Sequence, residues 1–178
     1  YDLLMTRSPA PVRFLNAVMA ADEPHANDLL AKEPSLLSSL TSKGHSHLAL
    51  AIFHGHFAAA AIMLRLGFDP AAPGVDGGTA LHAACWVGHV PMVERLIAHG
   101  SVPIDARDPT HHSTPLGWAA FGSVHRKAAG ADYPGVVDRL VAAGADITAP
   151  GNGEGLTVLE MARGNSAMQA ALRRHGAT

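Results

Sequence analysis

The chain repeats itself, and a repeat constrains a fold more than any single residue does, because each unit must bury its apolar face on the next one. Placing Ser46 over Thr79, 33 positions apart, aligns "SHLALAIFHGH" with "TALHAACWVGH" and brings Gly67 under Gly100. A further copy, "TPLGWAAFGS", begins at Thr114, 35 positions on, and "TVLEMARGN" begins at Thr157, another 43 on. "RFLNAVMAADEPHANDLLAKEP" aligns from Arg13, 33 positions before Ser46. The units thus start near 13, 46, 79, 114 and 157.

Each unit carries the same physical pattern. A Thr or Ser hydroxyl stands where it can cap a helix, sometimes with Pro at the first helical position, and a short apolar segment follows. A second helix is predicted after it from Leu29 with Leu30, Ile62 with Met63, Val93 with Leu96 and Ile97, and Val137 with Leu140 and Val141, apolar positions at the three-to-four spacing of one helical face. Gly67, Gly100, Gly144 and Gly176 then stop it, as a left-handed C-terminal cap does, and Pro34 takes that slot in the first unit. Polar connectors rich in Pro and Gly, such as "SVPIDARDPTHHS" and "ADITAPGNGEGL", follow as extended turns.

Composition narrows what such an array does. An apolar share of 48% over 178 residues is ample for a buried core. With 13 basic against 15 acidic residues the chain lacks the positive excess that a phosphate backbone demands, so nucleic acid is not an expected partner. A single cysteine, Cys85, forms no internal disulfide, which fits a reducing cytoplasm. The most membrane-like stretch, Leu48 to Phe68, is broken by His54, Gly55, His56 and Arg65, so no membrane span is expected. The start at Tyr1 rather than Met is read as a fragment or a processed product.

At "DGGTALHAACWVGHVPMVERLIAHG", and again at "TPLGWAA" with "VVDRLVAAGADI", the residues resemble ankyrin repeats. The resemblance spans nearly the whole chain. It implies an all-α solenoid: about five stacked helix-turn-helix units with extended hairpin-like connectors, the outer two serving as caps, in one domain over 1–178. "HRKAAGADY" at 125–133 is extra to the pattern and is expected as a surface insertion between the two helices of the 114 unit. His82 matches the histidine of the family's Thr-Pro-Leu-His motif, which by resemblance bonds its own turn and the neighbouring unit. Ala49, Gly117 and Glu160 replace it elsewhere, implying that its capping hydrogen bonds are missing there.

The trio His82, Cys85 and His89 raises the question of a nucleophile or a metal site. Each has a structural slot instead, and a cysteine in apolar surroundings is an inert small hydrophobe. His45, His47, His111 and His112, with Asp108 nearby, fall on connector tips without ligand spacing or supporting partners, so no metal is expected. No Gly-rich phosphate loop, nucleophile elbow or carboxylate pair is found, so neither cofactor nor catalytic residue is expected.

The resemblance instead implies a monomeric, non-catalytic protein-protein interaction module that binds a protein partner through its concave face, formed by the connector tips and the exposed ends of the first helices. The two slots before the turn glycine hold Phe53-His54, Trp86-Val87 and Phe121-Gly122, an aromatic in each central unit. The candidate partner-binding residues are therefore Phe53, His54, Trp86, Val87, Phe121, His45, His111 and His112. The competing reading buries the row, with Phe121 and Trp118 under the insertion. Two other functions stay open from the residues: a regulatory or substrate-recruiting portion of a larger enzyme or effector, and a histidine-based metal enzyme.

Overall fold

The computed structural model describes residues 8–126 and 129–178; Lys127 and Ala128, part of the expected insertion, lie outside the described residues. The described residues form helices and no strands, in five successive pairs: α1 (Ala10–Met19) with α2 (Glu23–Lys32), α5 (His47–Phe53) with α6 (Phe57–Leu66), α7 (Ala80–Val87) with α8 (Val90–His99), α9 (Pro115–His125) with α10 (Tyr133–Ala142), and α11 (Val158–Met161) with α12 (Ser166–Arg174). Two single turns, α3 (Leu36–Ser39) and α4 (Ser42–His45), join the first pair to the second. The first helices α5, α7, α9 and α11 pack in succession, and α8, α10 and α12 form a parallel layer. None of the helices is long and apolar enough to cross a membrane.

Short apolar residues make the inner layer possible. In α7, Ala80, Leu81, Ala83, Ala84, Cys85 and Val87 are all buried, because α5 and α9 lie against it on two sides. The second helices end as their glycines require: Gly67 and Gly100 cap α6 and α8 at φ +90° and +73°, in the left-handed region that costs glycine nothing. The first pair closes otherwise, with Glu33 extended before Pro34, as the proline ring demands of its neighbour.

Ser46, Thr79, Thr114 and Thr157 each stand immediately before a first helix, and each start is stabilised in its own way. At 79, the His82 imidazole Nδ1 accepts from the Thr79 N–H (3.1 Å), so Nε2 carries the proton and donates to the Ser113 carbonyl of the next unit (3.2 Å). At 157 the structure corrects the expectation that these bonds are missing. Glu160 Oε2 accepts from the Thr157 N–H (2.8 Å) and hydroxyl (3.0 Å), a carboxylate standing in for the imidazole. At 114, the Thr114 hydroxyl accepts from the Gly117 N–H and the Thr114 N–H donates to Gly151 (3.2 Å). At 46, the hydroxyl donates to the Pro73 carbonyl. The first unit departs further, since α1 begins at Ala10 rather than near Arg13.

The described residues of 125–133 are not a uniform surface insertion. His125 ends α9 and Tyr133 opens α10, buried, with its hydroxyl donating to the Trp86 carbonyl (2.9 Å). Asp132 caps α10, and its N–H donates to Gly88 (2.9 Å). The sequence hides this because the partners of Asp132 and Tyr133 belong to the preceding unit.

Candidate functional site

The connector between α8 and α9 is organised around one carboxylate. Asp108 is 1% exposed. Its Oδ1 accepts the N–H groups of Thr110 (2.9 Å) and His111 (2.6 Å); its Oδ2 accepts the Ser113 N–H (3.0 Å) and the Trp118 indole (2.9 Å). Burial alone would raise its pKa, but these four donors outweigh it and hold the carboxylate below its usual range. The connector tip and α9 are thereby tied together at Trp118, whose ring meets His82 edge-on at 5.3 Å.

Above this anchor the aromatics form a continuous row. Phe53 stacks on Trp86 with centroids 6.1 Å apart and planes 3° apart, and Trp86 stacks on Phe121 at 6.0 Å and 29°. His125 extends the row at 4.0 Å from Phe121, and the Arg126 guanidinium lies 5.5 Å from the Phe53 centroid. Trp118 is 8% exposed and braces Trp86 edge-on, whereas Phe121, between Trp86 and His125, is still 44% exposed. Phe53 and Trp86 are half-buried.

The row borders a cleft of about 490 Å³. Its other walls come from the connectors, through Asp76, His111, Asn152 and Glu154, and from the last unit, through Leu156, Glu160, Met161 and Arg163. Three large hydrophobic residues are more than a third exposed among the described residues, and two of them, Phe121 and Leu156, line this cleft. Exposed apolar side chains gathered at one place, rather than scattered singly, are a feature of interaction surfaces.

Of the eight candidate residues, the cleft gathers Phe53, Trp86, Phe121 and His111. His54 stands outside it, exposed and edge-on to Phe53 at 5.5 Å. Val87 is corrected: it is buried, because one step along an α-helix rotates a side chain by about 100° and turns it from the row into the core. His45, at the end of α4, ties itself to the next connector, after α6, accepting the Asp69 N–H at Nδ1 (3.1 Å) with its ring edge-on to Phe68. The His112 carbonyl accepts from Arg107 (2.6 Å), and its backbone sits at φ +49°. Asp108, Leu156 and Met161 were missed as builders of this face. The Asp-Pro-Thr run at 108 carries the signal of an Asx turn, whereas Leu156 and Met161 reach the cleft only through stacking.

The trio His82, Cys85 and His89 has no common chemistry. His82 is buried and bonded to Ser113, and burial lowers its pKa and keeps it neutral. His89 caps α8 by accepting the Met92 N–H and stacks on Phe57. Cys85 is fully buried, which pushes its thiol up and away from thiolate chemistry. Cys85→Ala will cost on the order of 1 kcal/mol, and the native thiol will label slowly with a maleimide; labelling as fast as in urea would refute its burial. Among the described residues no three His, Cys, Asp or Glu side chains are placed to hold one metal ion.

A stack of helix pairs joined by extended connectors, with one exposed aromatic cleft along its inner layer, defines a helical repeat solenoid. A family model for ankyrin repeats, in three copies, matches residues 48–150, more than half of the chain, and the chain belongs to the ankyrin repeat family. No curated protein matches it in sequence. Ankyrin repeats are generally protein-protein interaction modules and are typically non-catalytic.

Proposed function

We propose that the chain is a non-catalytic binding module that takes part of a protein partner into the concave cleft beside Phe53, Trp86 and Phe121. The observation that supports this most is the convergence of the exposed Phe121 and Leu156 on one cleft with polar walls. It works as a monomer without nucleic acid, in keeping with its near-neutral charge, and its single cysteine, which makes no internal disulfide, is compatible with a reducing cytoplasm.

Phe121 is the cleaner probe of this reading. Trp86 lies between two rings and edge-on to Trp118, so cutting it to alanine removes packing as well as surface. Phe121→Ser will shift Tm by no more than a few degrees, because a side chain this exposed leaves little cavity. It will remove more than about 1 kcal/mol of binding, as loss of an aromatic anchor does. Affinity capture from lysate with both forms, quantified by mass spectrometry, checks it. Proteins captured equally by both forms would show that the cleft is not the binding surface.

A further inference from the structure

The walls of the cleft specify more than an apolar contact. Three carboxylates, Asp76, Glu154 and Glu160, line it with one guanidinium, Arg163, and a second guanidinium, Arg126, lies against Phe53 at the row. Glu160 is spoken for, since its carboxylate closes the cap at Thr157 and feels the charge of Arg163. Asp76 meets only the His111 imidazole, at 3.6 Å. The Glu154 carboxylate has no ion pair or hydrogen bond among the described residues, although the backbone N–H of Glu154 donates to Asn152. Two uncompensated negative groups therefore border the cleft that exposes Phe121 and Leu156.

The length of the occupant follows from size. One turn of an α-helix with its side chains, roughly 10 Å across and about 5.4 Å long, fills roughly 400 Å³. A space of about 490 Å³ therefore takes roughly the four residues of one such turn, a short segment of a partner chain and not a folded domain. The aromatic row does not itself hold a cation on Trp86, because Phe53 and Phe121 stack against that ring. The row offers apolar surface, and Asp76 and Glu154 offer the charge.

We infer that the occupant is a short segment of a partner protein that sets a lysine or arginine side chain beside an apolar one. The inference rests on the protein-binding reading and names the chemistry of its ligand. Selection of a randomised, displayed heptapeptide library on the intact chain tests it. The enriched pool will carry Lys or Arg within two residues of Leu, Ile, Phe or Trp, at several times the frequency in the unselected library. For the strongest such peptide, synthesised and followed by fluorescence anisotropy, Glu154→Gln and Asp76→Asn will each raise Kd by roughly threefold, and both together by roughly tenfold. Neither change threatens the fold, since Glu154 is exposed and asparagine tolerates the left-handed backbone of Asp76 at φ +51°.

A pool enriched in acidic residues, a pool without a shared pattern, or a basic peptide indifferent to both substitutions would overturn the inference. The Phe121→Ser form separates the two readings. Acidic or neutral peptides that it no longer binds leave the cleft as the binding surface and remove only the cationic ligand. Peptides that it binds unchanged count against the cleft itself.

Discussion

Asp108→Ala will lower the unfolding free energy by about 3 kcal/mol, because it strips the acceptor from four N–H donors at a buried site and each orphaned donor carries a desolvation cost. Asp108→Asn, which retains one acceptor oxygen but turns an NH2 toward N–H groups, will fall between the two. Urea unfolding measures both, and a loss under about 1 kcal/mol for the alanine form would show that the connector finds other partners. The same network sets an acid limit. The folded pKa of Asp108 lies below the ordinary 3.8, and that of His82 below the ordinary 6.5. In both cases the unfolded chain binds the proton first, so stability is full above the ordinary value and drains as pH falls through the window beneath it. The urea midpoint will therefore begin to fall below about pH 6.5, on account of His82, and fall further below about pH 4, on account of Asp108.

Gly117→Ala will destabilise by about 2 to 3 kcal/mol, against the usual sign for glycine to alanine in a helix, where alanine gains up to about 1 kcal/mol. The third residue of α9 lies where an added methyl would overlap the Gly151 carbonyl oxygen, and that oxygen already accepts the Thr114 N–H. Neither partner is a side chain that can swing away, so the connector or the helix start must move. Thermal unfolding gives the result directly, and a raised Tm would mean that the 151 connector yields freely.

These two residues show where the sequence was readable and where it was not. The helix hairpins were legible because their signals are local: a hydroxyl before an apolar run, a glycine after it, and Leu or Val at three-to-four spacing. The matching slots of Phe53, Trp86 and Phe121 were legible for the same reason, and their stacking follows from the repeat. Glu160 was misjudged because the motif prescribes an imidazole, whereas the cap needs only an acceptor three residues on. Gly117 gave no sign of its neighbour, which comes from the next connector. Val87 and Tyr133 were placed on the surface because their burial depends on helices packing from other units. Contacts between units are what a repeat pattern does not spell out.

Trp86 and Trp118 are the only two tryptophans in the chain, and both line the one cleft described, in edge-on contact at 6.3 Å. The intrinsic ultraviolet emission of this protein therefore comes almost wholly from the lining of this cleft. Trp118, sequestered against a carboxylate, supplies a constant background that tracks the integrity of the connector, while half-buried Trp86 answers to the water around it. An occupant that displaces that water will move the emission to shorter wavelength without any label, and unfolding will move it to longer wavelength. The two events thus carry opposite spectral signs, so one cuvette distinguishes occupancy from collapse.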